Sequence, residues 1–152
     1  MSSSPKFRYQ GAIVREHAIL LIQHRWHADG RSAWLLPGGG REPGETEEAC
    51  VRREMREETG LDVAVERLLL DDAAAPGDRV YQGYKTYLCR PVAGEARPGY
   101  EPEPEAASAY AITAVAWFDL RHDADWDPAL QADPISYPLL RRLQQALGYR
   151  AK

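Results

Sequence analysis

The chain has 152 residues, which suits one domain with a core of its own. Its 44% apolar and 28% charged content is that of an ordinary globular protein. A net charge of −4 argues against broad attraction to nucleic acid or membrane, so any anionic ligand would have to be drawn in by local positive charge and not by the global field.

In chain order, residues 1–6 read as a flexible tail that lacks the apolar stretch of a signal peptide. Residues 11–14 and 18–23 read as strands about a turn at Arg15-Glu16-His17. Residues 27–32 form a loop around Asp29-Gly30, and 34–36 a short strand ended by Pro37. A helix follows. Thr46 is a suitable N-cap, Glu47 and Glu48 suit the positive end of the helix dipole, no Gly or Pro interrupts residues 49–59, and Gly60 suits the left-handed residue after the last turn. Beyond it, 63–70 reads as a strand, 73–78 as a loop and 80–89 as a long strand. Residues 91–109 carry four prolines, two glycines and four glutamates, and read as one long loop. A strand at 111–118 precedes a second helix, from 135 or 137 to 147, with Leu139, Leu140, Leu143 and Leu147 at helical spacing. Two helices separated by strands predict an α/β fold, a mixed sheet covered on both faces. No apolar run is long enough to span a bilayer. Cys50 and Cys89 have no metal-ligand spacing and read as small buried residues of a reducing compartment, so a cytoplasmic location is expected.

Chemistry concentrates in residues 38–61. The glycine run Gly38-Gly39-Gly40 leads into the first helix, on which Glu54, Glu57 and Glu58 are spaced i, i+3 and i+4 and share a face. Three carboxylates so placed repel one another. They form either a solvated charged face partnered by Arg52, Arg53 and Arg56, or the seat of a hard cation. Mg²⁺ fits the second reading, because it takes oxygen ligands and is usually held by carboxylates together with substrate phosphates.

The segment from Gly39 to Leu61 resembles the signature of the Nudix hydrolases, Gly-x5-Glu-x7-Arg-Glu-(apolar)-x-Glu-Glu-x-Gly-(apolar). Gly39, Glu45, Arg53, Glu54, Met55, Glu57, Glu58, Gly60 and Leu61 fill every fixed position. Trp34-Leu35-Leu36-Pro37-Gly38-Gly39 and Val115-Ala116-Trp117-Phe118-Asp119-Leu120 resemble its flanks. The resemblance implies an α/β/α sandwich with a mixed sheet, one domain over 1–152, and hydrolysis of a nucleoside diphosphate linked to another group X. It implies Mg²⁺, with Mn²⁺ as a substitute, on Glu54, Glu57 and Glu58, with the Gly38 carbonyl as a further ligand. One of Glu57 and Glu58 could instead activate water. Arg53 would bind the acidic cluster together, with Glu45 supporting the metal shell or orienting Arg53. Gly39, Gly40 and Arg25 would meet the substrate, Arg25 either at a terminal phosphate or as a surface ion pair.

Trp26, Trp34, Tyr81 and Tyr84 are candidates for stacking on a base, with core packing as the plainer role. Where many relatives carry a glutamate before the late strand, this chain has Ala111, so the first helix either does the whole job or is helped by Glu101, Glu103 or Glu105. Pro76 hints at an ADP-ribose-type substrate, and a nucleoside triphosphate competes equally. The expected partner is a nucleotide-type small molecule, without nucleic acid or membrane; a homodimer stays open. The other reading of the whole chain is a non-catalytic nucleotide-binding or regulatory module on the same fold.

Overall fold

A computed structural model describes residues 6–100, 102 and 104–150, without the side chains of 105 and 106. The expected tail falls outside these residues except for Lys6, whose carbonyl accepts the Gln82 N–H at 2.7 Å.

Strands β1 (Phe7–Arg15) and β2 (Ala18–Trp26) form a hairpin, and β3 (Ser32–Leu35) and β4 (Gly38–Gly39) follow. Glu16 and His17 turn the hairpin with φ of 50° and 71°, the paired left-handed geometry that matches the twist of the strands. Helix α1 (Glu47–Thr59) leads to β5 (Asp62–Ala73), β6 (Gly83–Ala93), α2 (Pro104–Ala109), β7 (Tyr110–Asp119), α3 (Pro128–Gln131) and α4 (Ser136–Ala146). The sheet runs β3-β2-β1-β6-β5, with β4 paired to β1 and β7 to β2. It is mixed: β1 runs parallel to β6 from Phe7↔Gly83 to Ile13↔Cys89, and the other pairings are antiparallel.

Alternation along the strands builds two cores. Tyr9, Ile13 and Leu20 meet Cys50, Val51 and Met55 of α1. Ala12, Ile19 and Leu21 meet Leu140 and Leu143 of α4, with Trp34, Phe118 and Trp126. The sheet is therefore covered on both faces, the expected α/β/α layering. Gly11 lies under α1, where a Cβ would fall 2.5 Å from Met55 Sδ.

Several boundaries differ from the sequence reading. Residues 80–82 lie outside β6, because the Asp78 carboxylate collects the N–H groups of Val80 and Tyr81 at 2.9 and 2.8 Å and holds them in a turn. The expected loop over 91–109 is shortened at both ends. The β5–β6 hairpin runs on to Asp62↔Ala93, taking Pro91 beside a register shift. At the other end Pro104, in the first turn of α2, precedes a run of good helix formers. Helix α3 was not expected; it starts where Asp127 accepts the Ala129 N–H at 2.8 Å, with Pro128 in its first turn.

Candidate active site

Helix α1 forms for the local reasons its sequence predicts. The Thr46 hydroxyl accepts the Ala49 N–H at 3.1 Å, and Gly60 (φ 77°) donates back to the Arg56 carbonyl. The apolar side of α1 faces the sheet, and Glu54 and Glu58 are carried in with it, at 6% and 1% exposure. Glu57 stays half-buried.

Arg53 ties the cluster together. Its Nε and Nη2 grip both oxygens of Glu45 at 2.7 and 3.0 Å, and its Nη1 donates to Glu54 at 3.0 Å and Glu57 at 3.2 Å. Nη2 also donates to the Gly40 carbonyl at 3.0 Å, fastening the glycine loop. The hydrogen bond from Arg53 holds the Glu45 carboxyl below its ordinary range, and the guanidinium is held charged in return.

The glycine run serves by close approach. The Gly38 N–H donates to Glu58 Oε1 at 2.6 Å. A Cβ on Gly38 would fall 2.5 Å from the Tyr9 carbonyl, and one on Gly39 would fall 2.5 Å from Glu54 Oε1. The loop thus leaves room for the Glu54 carboxylate.

Among the described residues, no three carboxylate, histidine or cysteine side chains converge as a closed metal cage. The donor set nevertheless fits a hard divalent ion: carboxylate oxygens on one helix face, each pinned through one oxygen by Arg53 or Gly38. An open carboxylate site suits Mg²⁺, which keeps water ligands and is usually held together with substrate phosphates. Cys50 and Cys89 are buried and unbridged, and burial pushes both thiols up to about 12, which removes them as ligands.

On the α4 side of the sheet lies a cavity of about 470 Å³. Its floor is Arg8 and Gln10, and Tyr81, Tyr84, Ile135 and Leu139 rise around it. A mostly apolar cleft of this size with a few polar groups is the usual form of a small-molecule site. Tyr84 donates its hydroxyl to Asp78, and the Tyr81 and Tyr84 rings stand 5.7 Å apart. Asp72 and Arg142 close one side with paired hydrogen bonds of 2.9 and 2.8 Å. Arg8 Nη2 donates to the Leu36 carbonyl at 2.8 Å, and Nε to Gln10 at 3.3 Å. Burial works against its charge, but Glu58 and Glu54 are near enough to hold it in the charged form. The cavity and the carboxylate cluster are therefore neighbours.

Glu45, Arg53, Glu54, Glu57, Glu58 and the three glycines come together as the sequence predicts. Arg25 does not join them. It is exposed, its guanidinium lies against Gly30, and it pairs across β2 with Ser32 and Ala111. Trp34 is in the core, and Trp26 packs beside His24 and under Arg31. Tyr81 and Tyr84 are the two stacking candidates that reach the cavity. Glu101, Glu103 and the Glu105 side chain fall outside the described residues. The segment before them docks on the C-terminal end of α1, where Arg97, Gly99 and Tyr100 donate their N–H groups to the carbonyls of Thr59, Glu58 and Glu57 at 2.9, 2.9 and 3.1 Å. Arg8, Gln10 and Asp78 are site residues that the sequence reading missed. Only the alternation of Arg8 and Gln10 on β1 hinted that they share a face.

Comparison with known proteins agrees with this geometry. The NUDIX domain profile matches residues 7–143. A Mycobacterium tuberculosis protein provisionally named 8-oxo-dGTP diphosphatase 2 is 37% identical over 122 residues, 78% of each chain. The crystal structure of a MutT NUDIX hydrolase from Burkholderia pseudomallei superposes with a TM-score of 0.64 at 30% identity, over 93% of this chain and 99% of that one. A NUDIX hydrolase structure from Nitrosomonas europaea shares the fold, with a TM-score of 0.71 at 22% identity over 95% and 73%. Members of this family are in general divalent-metal dependent. The acidic helix, the glycine loop that makes room for it and these matches agree, and the chain belongs to the NUDIX family, as a pyrophosphohydrolase of nucleoside diphosphates linked to a further group.

Proposed function

We propose that the protein is a Mg²⁺-dependent hydrolase of purine nucleoside triphosphates, oxidised guanine nucleotides among them, whose nucleoside lies in the cavity over Arg8 and Gln10. The observation that carries this reading is that Arg8, which lines the cavity, bonds the Leu36 carbonyl two residues before Gly38, whose N–H holds Glu58 of the cluster that Arg53 gathers on α1. The relative named for 8-oxo-dGTP supports this substrate class.

Glu54, Glu57 and Glu58 would hold the ion, with the Gly38 carbonyl as a further ligand. Bound there, the ion supplies Lewis-acid chemistry, neutralising charge on the phosphate oxygens. The chain's own residues do the rest. Arg53 fixes the carboxylates, Glu45 fixes Arg53, and the Gly38 N–H orients Glu58. Gly39 and Gly40 let the substrate phosphates approach the backbone closely. One of Glu57 and Glu58 takes the proton from the attacking water. Tyr81 and Tyr84 flank the base. Manganese, with the same preference for oxygen donors, substitutes for magnesium.

The test is nucleoside monophosphate release, with pyrophosphate from the triphosphates, from a panel of 8-oxo-dGTP, dGTP, dATP, ADP-ribose and UDP-sugars. Turnover of the triphosphates is expected only with Mg²⁺ or Mn²⁺, and Glu57→Gln or Glu58→Gln should lower kcat by on the order of a hundredfold or more. Undiminished turnover in excess EDTA refutes the metal assignment. A preference for ADP-ribose would move the substrate to the class at which Pro76, an exposed loop residue, hints. Nucleotide binding without turnover of any substrate would leave a non-catalytic module.

A further inference from the structure

Arg8 stands apart from the other cations of the protein. Among the described residues, every other lysine or arginine that is not exposed has a carboxylate partner: Arg53 has Glu45, Lys85 has Glu47 and Arg141 has Asp123. Every one that lacks such a partner is exposed, Arg25 included. Among the described residues Arg8 alone is half-buried without an ion pair, and it lines the cavity. Its charge is supported only from beyond ion-pair distance, by Glu58 and Glu54, so its guanidinium has no carboxylate of its own.

We propose that Arg8 grips the substrate phosphate that adjoins the nucleoside, where the cavity meets the carboxylate cluster. The proposal rests on the nucleotide reading given above. Arg8 is rigidly set for the task. Its Nη2 is tied to the Leu36 carbonyl, two residues before the Gly38 N–H that orients Glu58. Its Nε leans on Gln10, which is itself anchored to Thr86 at 2.9 Å. A guanidinium has five N–H donors in a fixed fork, so these contacts leave donors for a bidentate hold on an anion.

Charge points the same way. Glu58 and Glu54 supply what counter-charge Arg8 has, and both are assigned to the divalent ion. Once a cation engages them, Arg8 is left in net positive surroundings, and the group arriving with that cation is a phosphate. Arg8 would then hold the phosphate from the nucleoside side while the carboxylate cluster acts from the other.

The test uses reaction products, which bind without turning over. Calorimetric titrations with AMP, GMP, CMP and UMP, and with the matching nucleosides, are run in Mg²⁺ on the wild type, Arg8→Met and Arg8→Lys. For the monophosphate that binds best, Arg8→Met should weaken binding by about ten- to a hundredfold, the worth of a charge-assisted hydrogen bond. Affinity for the matching nucleoside should change by no more than about twofold. Arg8→Lys should restore part of the loss, because it returns the charge without the fork. Thermal unfolding identifies variants that are folded, and if Arg8→Met is not, Arg8→Gln takes its place.

Equal losses for nucleoside and monophosphate would assign Arg8 to the base or sugar and overturn the proposal. Unchanged affinities, or no measurable monophosphate binding by the wild type, overturn it as well. Failure of the hydrolase reading looks different: no substrate of the panel is turned over, while monophosphate binding still depends on Arg8.

Discussion

Arg53 holds more of the site than any other single residue. It bonds Glu45, Glu54, Glu57 and the Gly40 carbonyl at once, so one side chain sets the spacing of the acidic cluster and the position of the loop beside it. Arg53→Ala should lower stability by about 2 kcal/mol, within the range for hydrogen bonds to charged partners. It should also lower kcat by roughly a hundredfold, because carboxylates displaced by an ångström no longer meet their target. Arg53→Lys should recover the charge but not the four-way geometry, and so only part of the rate. Urea unfolding and Mg²⁺-dependent kinetics on both variants check this; wild-type kcat in Arg53→Ala would reduce the residue to a surface ion pair. Residues of α1 were legible in sequence because their geometry is local: Glu54, Glu57 and Glu58 share a face whatever the rest of the chain does. Arg8 was not. Alternation on β1 says that Arg8 and Gln10 point the same way, but that face becomes a cavity only through Tyr84 on β6 and Leu139 on α4, and strand periodicity carries no information about partners that far away.

Among the elements, the segment from Glu95 to Tyr100 does most to finish the site. It supplies N–H groups to the last carbonyls of α1, those of Glu57, Glu58 and Thr59. Gly99 makes the approach feasible, since a Cβ there would fall 1.8 Å from the Glu57 carbonyl oxygen. Gly99→Ala should therefore lift the segment from the helix end, at a cost of about 1–3 kcal/mol for carbonyls left without their donors. A lower melting temperature with reduced kcat is expected; a melting curve identical to wild type would mean that the contact bears no load. This docking has no sequence signature, because Gly-rich and Pro-rich composition reads as loop whether or not it is anchored. The same blindness explains β6. Val80 and Tyr81 look like strand residues, but Asp78 takes their N–H groups before a neighbouring strand can. By contrast, the β1–β2 hairpin, α1 and α4 were foreseen because turn, cap and periodicity agree within each.

For the molecule as a whole, acid is the weak direction, and His24 is the main reason. It is 4% exposed and stacked on Tyr110 with ring centres 3.9 Å apart. Burial, with Arg8 adding repulsion, pushes its pKa from 6.5 down to about 3. The unfolded chain therefore takes up a proton below 6.5 that the folded one refuses, and stability falls as pH drops from about 6.5 toward about 3. Glu45 has a depressed pKa, so its contribution is present above 4.5 and is lost as pH falls through its folded value. The interval above 4.5 thus belongs to His24. Between pH 7 and 5 the wild type should lose about 2 kcal/mol to this one group, and His24→Phe, which keeps the stacking but cannot titrate, should lose little. Urea unfolding at the two pH values compares them, and equal losses would remove His24 as the cause. The parallel pairing of β1 with β6 sets a timetable for the chain as it leaves the ribosome. The partner of Gln10 is Thr86, 76 residues downstream, which is about 4 to 15 s of synthesis at 5–20 residues per second. Over that interval β1 has an unpaired edge, the kind that recruits strands from other chains. Helix α1, capped by its own residues, has what it needs to form in the meantime. Translation that stops short of Ala93 therefore releases an acidic helix with no completed sheet beneath it and a bare strand edge open to aggregation.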